Sequence, residues 1–127
     1  MIFIDSSYYI AYLIEKDKFH KRAIELDNQL NEKKCINSTV LLETLNSFAS
    51  YGGADINELY LYLTEVNDLI YLTDEDYKQS VMISKNYNSS INFSDCTILQ
   101  SMQKLGINKI VSFDDDFSKI KGLSVIK

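Results

Sequence analysis

Ile110-Val111-Ser112-Phe113-Asp114-Asp115-Asp116-Phe117 joins a short apolar run directly to three consecutive carboxylates. An unbroken apolar segment of this kind suits a strand buried on both faces of a parallel sheet, and in such sheets the ligand crevice lies beyond the carboxyl ends of the strands. Acids placed immediately after the strand therefore point toward that crevice. Ile2-Phe3-Ile4 repeats the pattern, apolar throughout and stopping at Asp5. Between these two runs the chain alternates helical and extended signals. Ser7–Ile14 reads as a helix, and Phe19, Ala23, Leu26 and Leu30 form the stripe of an amphipathic helix over Lys18–Leu30. Cys35–Ser38 is a weak strand, followed by a helix over Thr39–Tyr51 with the stripe Leu41, Leu42, Leu45, Phe48 and Ala49, closing at Gly52-Gly53. Asp55 with Glu58 and Thr73 with Asp76 resemble capping boxes on either side of a third strand, Leu69–Leu72. Ser94–Leu105 is a helix closed by Gly106, and Leu123–Ile126 is a short fifth strand. Strands separated by helices imply an α/β fold with a parallel sheet covered on both faces.

With 127 residues, 46% hydrophobic and 24% charged, no proline and no low-complexity linker, the chain reads as one domain over residues 1–127. A domain of this size buries about two-thirds of its unfolded surface and needs no disulfide staple. Cys35 and Cys96 lack metal-site spacing and read as reduced thiols. No apolar run reaches the roughly 18 residues of a membrane span, and residues 1–15 lack the features of a signal peptide, so the expected location is cytoplasmic.

Asp95 falls with Ile98, Leu99 and Met102 on one helical stripe, which places a carboxylate on a face that should be buried. An unpaired buried carboxylate is expensive, and a metal or a basic partner accounts for it better than helix capping alone. Asp5 reads equally well as a cap in Asp5-Ser6-Ser7 or as a site acid. Glu43 lies opposite its apolar stripe with Asn46, Ser47 and Ser50, which by itself suggests a solvated face.

The ordered series Ile4-Asp5-Ser6, Ser38 with Glu43, Asp95 with Ile98-Leu99, and Ser112 to Phe117 resembles the PIN domain, especially the small toxins of the VapC type. The resemblance covers essentially the whole chain, and Val111–Ile120 with Gly122-Leu123 is its most specific part. It implies a three-layer, Rossmann-like fold with four or five parallel strands and a metal-dependent ribonuclease site. It implies that Asp5, Glu43 and Asp95 are core acids, with Asp114 and Asp116 as the fourth-site acids. Alternation out of the strand sends those two to a different side from Asp115. Ser6 and Ser112 match small hydroxyl residues common in the family, suited to orienting a carboxylate or a water. It further implies a homodimer inhibited by a small antitoxin protein. Ser7–Ile14 and Leu61, which falls opposite the stripe of its helix near Tyr60 and Tyr62, are candidate contact positions.

All-oxygen donors suit Mg²⁺ or Mn²⁺ and disfavour zinc. The formal charge of −5 argues against gripping nucleic acid by bulk electrostatics. Yet removing the five proposed site acids from the 18 Asp and Glu leaves 13, equal to the 13 Lys and Arg, so the surface outside the site is balanced and an RNA substrate is allowed. Lys16, Lys18, Lys21, Arg22, Lys33, Lys34, Lys119 and Lys121 are the bases available to phosphate. His20, the single histidine, reads as a surface residue, and no Ser-His-Asp, Cys-His or Gly-rich phosphate motif competes. The alternatives are a non-catalytic PIN-like interaction module and a DNA nuclease of related fold, the latter disfavoured by the lack of a long basic insertion. A receiver domain wants an acidic pair after its first strand, where this chain has Asp5-Ser6.

Overall fold

The computed structural model describes residues 1–51 and 55–127, so the cap expected at Gly52-Gly53 lies outside the described residues. Five strands form one sheet: β1 (Ile2–Ile4), β2 (Lys34–Asn37), β3 (Asp68–Ile70), β4 (Lys109–Val111) and β5 (Ser124–Ile126). Their order is β3-β2-β1-β4-β5, and every pairing is parallel. The expectation of four or five strands resolves to five. Among the described residues six helices connect them: α1 (Ser6–Leu13), α2 (His20–Asp27), α3 (Ser38–Ala49), α4 (Ile56–Val66), α5 (Asp74–Asn86) and α6 (Phe93–Leu105). A 3₁₀ turn over Asp115–Lys119 follows β4.

The strand order decides where the site lies. From β1 the chain steps outward through β2 to β3, then returns across the sheet to β4 on the other side of β1. Right-handed crossovers therefore put α1 to α4 on one face and α5 and α6 on the other. The reversal falls between β1 and β4, the switch point at which such sheets open a crevice. Register pairs Phe3 with Ile110 and Ile4 with Val111, and the Asp5 N–H continues the ladder to the Val111 carbonyl at 3.0 Å. Asp5 and Ser112 thus leave the sheet side by side.

The central strand carries the most apolar run because both its faces are covered, and Ile2, Phe3 and Ile4 are all buried. α6 is buried almost all round from Asp95 to Met102, and several of its polar groups are satisfied by cross-links to other elements. Asn37 shows how: its side chain caps α3 at Val40 N (3.1 Å) while donating to the Thr97 carbonyl (3.2 Å) and Ser101 Oγ (3.0 Å) of α6. Thr39 and Thr97 hydroxyls meet at 2.8 Å beside it. α5 starts with the complete capping box of Thr73 and Asp76, and Asp76 also receives Gln100 (2.9 Å) and Lys104 (3.1 Å) of α6. At the start of α4 only half of the expected box forms, with Asp55 accepting from Glu58 N. Gly106 closes α6 in the left-handed conformation, φ 68°.

Several expectations are corrected. The Lys18–Leu30 helix shortens to His20–Asp27, starting late because the Asp17 side chain accepts from Phe19 N at 2.8 Å and holds the preceding residues in a turn. Ser112 and Phe113 lie beyond β4, freeing their backbone and side chains for the crevice. Leu42 is exposed, and the buried place on that helix goes to Thr44, whose hydroxyl is satisfied by the Val40 carbonyl. His20 is half-buried rather than a plain surface residue, its Nδ1 2.8 Å from the Ala11 carbonyl, tying α2 to α1. Of the two candidate contact positions, Ser7–Ile14 is mostly packed, with Tyr8, Tyr9 and Ala11 fully buried, whereas Leu61 is exposed.

Candidate metal centre

Four elements deliver the acids to one hollow. Asp5 stands at the N-cap of α1, yet its side chain makes no capping bond. Its Oδ2 instead accepts from Ser7 Oγ (2.6 Å) and Ser112 Oγ (2.8 Å), while Oδ1 receives neither hydroxyl. Asp95 lies in the first turn of α6, buried, and its Oδ2 has no hydrogen-bond partner. Asp114 caps the 3₁₀ turn, its Oδ1 accepting from Asp116 N at 3.0 Å, which folds Asp116 back to the same side. Carboxylate oxygens of Asp95, Asp114 and Asp116 lie within 4.8 Å of one another. Asp115 points away, almost fully exposed and 3.7 Å from Lys127 Nζ.

Asp5 and Glu43 stand outside that close triplet but within its electrostatic reach. Glu43 is half-buried, one turn beyond Thr39, and receives Ser6 Oγ at a long 3.4 Å. Burial raises the Asp95 carboxyl to about 8, reinforced by the charges of Asp5, Asp114, Asp116 and Glu43. Burial also pushes Asp5 up against the pull of its two hydroxyl donors, and pushes Glu43 up with Asp5 and Asp114 adding to it. Like charges share a low-dielectric hollow, and no basic side chain enters it from the described residues except Lys119, which reaches Asp116 Oδ1 at 3.1 Å from the solvent side.

The donor set fits a hard divalent cation. A span of 4.8 Å matches the width of a coordination shell with oxygen ligands about 2.0–2.6 Å from the ion. Asp95 Oδ2 is buried without a hydrogen-bond partner among the described residues, which leaves it free to ligate. His20 is engaged elsewhere, and burial raises both cysteine thiols, Cys35 to about 11, so neither offers a ready thiolate.

Ser7 is the residue that motif reading passed over. Besides donating to Asp5, its Oγ accepts from Phe113 N at 3.0 Å, so one hydroxyl fastens the end of β1 to the end of β4. The signal was the doubled serine after Asp5: Ser6 turns toward Glu43, Ser7 toward Asp5. Ser112 Oγ closes the set by accepting from Asp114 N at 3.0 Å.

The PIN domain family model matches residues 2–123. Ribonuclease VapC6 of Methanocaldococcus jannaschii is 28% identical, over 99% of this chain and 96% of its own length. Among solved structures, VapC20 of Mycobacterium tuberculosis, described as a Sarcin-Ricin loop cleaving toxin, superposes with a TM-score of 0.82 at 24% identity over 93% of each chain. A toxin–antitoxin complex from Klebsiella pneumoniae gives a TM-score of 0.77 at 17% identity, covering 100% of this chain and 97% of that one.

Proposed function

The chain belongs to the PIN domain family, and on that premise we propose that it is a metal-dependent endoribonuclease, the toxin of a type II toxin–antitoxin pair. The observation that carries the reading is the convergence of Asp95, Asp114 and Asp116 at the sheet's switch point, with Asp95 Oδ2 left without a donor. In this reading Asp5, Glu43, Asp95, Asp114 and Asp116 are the metal-holding and catalytic acids, with Mg²⁺ or Mn²⁺ as the ion, since every donor is a carboxylate oxygen. Held by these carboxylates, a divalent cation would supply the Lewis acidity that activates water and stabilises charge in phosphodiester hydrolysis. The protein's own groups hold and orient. Ser7 and Ser112 fix the Asp5 carboxylate through Oδ2. The Asp114 cap sets the direction of Asp116. Glu43 faces the other acids from α3, its carboxyl raised by burial and by the charges of Asp5 and Asp114.

The relative named a ribonuclease and the neighbour described as a toxin support RNA as substrate. The toxin–antitoxin complex among the neighbours supports an antitoxin protein as partner, and the reading adds a homodimer and a small antitoxin, with the exposed Tyr60, Leu61 and Tyr71 as apolar surface for such contacts. No described helix is long and apolar enough to cross a membrane, and the proposed setting is the cytoplasm, where the RNA is and thiols stay reduced. The test is cleavage of RNA by the pure protein with Mg²⁺ or Mn²⁺, repeated with Asp95→Asn. Metal-dependent cutting by the parent and none by the variant is the expected result. Tight metal binding with every RNA left intact would make the chain a non-catalytic interaction module.

A further inference from the structure

We propose that the open cavity of about 350 Å³ lined by Phe19, Arg22, Phe113, Asp115 and Lys127 is a nucleotide subsite, taking a base of the bound RNA outside the acid hollow. The inference deepens, and rests on, the ribonuclease reading above. Its volume falls within the roughly 300–1,000 Å³ of small-molecule sites. Phe19 and Phe113 stack with ring centres 4.7 Å apart and planes 6° from parallel, forming an aromatic slab on the wall of that cavity. Phe113 stands in sequence between Ser112, which bonds Asp5, and Asp114, which belongs to the acidic triplet. Its N–H is held by Ser7 Oγ, the same hydroxyl that donates to Asp5, so the slab is tied rigidly to the acids.

The charge of the crevice explains the need for such a platform. Five acids repel a polyanion, and with no large basic face the affinity must come from elsewhere. Base stacking on aromatic rings is independent of that charge and tolerant of sequence. Cations cluster at the slab: Lys18 Nζ is 4.9 Å from the Phe19 ring centre, and Arg22 lines the cavity. Arg22 pairs with Glu25 through Nη1 at 3.2 Å and donates Nη2 to the Lys127 carbonyl at 3.2 Å, exposed contacts that a phosphate displaces cheaply. Asp115 is the one acid on this wall, opposed by Lys127 at 3.7 Å. The base packs on the slab while Arg22 meets the neighbouring phosphate.

The test uses oligoribonucleotides carrying 2-aminopurine at successive positions along the strand, bound with Mg²⁺ to Asp95→Asn protein. One position should show stacking-quenched fluorescence. Adding Phe113→Leu, which keeps apolar bulk but removes the aromatic face, should abolish the quench and weaken binding about ten-fold or more. Phe113→Tyr should retain both, Phe19→Leu should reproduce the loss from the other half of the slab, and Arg22→Gln should weaken binding and flatten its salt dependence while leaving the quench. In the active protein, Phe113→Leu should raise KM more than it lowers kcat. A quench that survives both leucine variants, or appears at no position, while the parent still cuts RNA, overturns the subsite alone. A quench lost with Phe113→Leu in a chain whose parent cuts no RNA overturns the ribonuclease reading alone.

Discussion

Asp95 concentrates the chemistry of the molecule in one side chain. Its carboxyl titrates near 8 in the folded chain, against an ordinary value of 3.8, so the metal-free native state holds a proton there that the unfolded chain releases. Stability from this group is fully present below about pH 4 and is lost as pH rises toward 8. Asp95→Asn lacks that loss. The variant's advantage in metal-free Tm should widen from pH 4 to 8 and level beyond, while RNA cleavage falls on the order of 100-fold or more. Unfolding of the variant would instead make the carboxylate structural. The serines offer a graded comparison. Ser7→Ala removes a 2.6 Å donor to Asp5 and should cost about 10–100-fold in Mn²⁺ affinity, measured by titration calorimetry. Ser6→Ala removes only a 3.4 Å contact to Glu43 and should cost much less.

At the scale of elements, α3 and α6 must keep a fixed distance for Glu43 and Asp95 to share a hollow, and Asn37 is the bolt between them. Asn37→Ala loses a cap and two buried cross-links and should destabilise the fold by about 2–4 kcal/mol in urea titrations. Most elements were legible because their signals are local. The unbroken apolar runs at Ile2–Ile4 and Ile110–Val111, the Thr73–Asp76 box and the Gly106 stop each announce themselves within a few residues. What escaped depends on distant partners. Leu42 fits the stripe of α3 as well as Leu41 does, and only the packing of α1 and α4 decides which of them is buried. The His20 tether to the Ala11 carbonyl likewise depends on how a loop returns to α1. In the site, Asp95 could be read from a carboxylate on an apolar stripe, whereas the doubled serine after Asp5 marks Ser7 without revealing its bond to Phe113, 106 positions away.

Across the whole molecule the proposed site accounts for the net charge, and that asymmetry governs how the protein responds to solution conditions. Asp5 and Glu43 are raised in the same direction as Asp95, so without metal the three together should make the fold less stable as pH climbs from 4 to 8. Millimolar Mg²⁺ or Mn²⁺ should reverse that trend, because a cation binds the deprotonated acids of the native state alone. Calorimetric Tm across this range, with EDTA and with Mg²⁺, checks the sign. A Tm that rises with pH in EDTA would mean that the acids do not crowd one another. The account as a whole requires that one ion sit where β1, β4 and α6 meet. Anomalous diffraction from crystals soaked in Mn²⁺ measures this directly. The predicted result is a manganese peak in contact with Asp95, Asp114 and Asp116 and beside Asp5; no peak in that hollow at saturating Mn²⁺, or a peak only elsewhere, would contradict it.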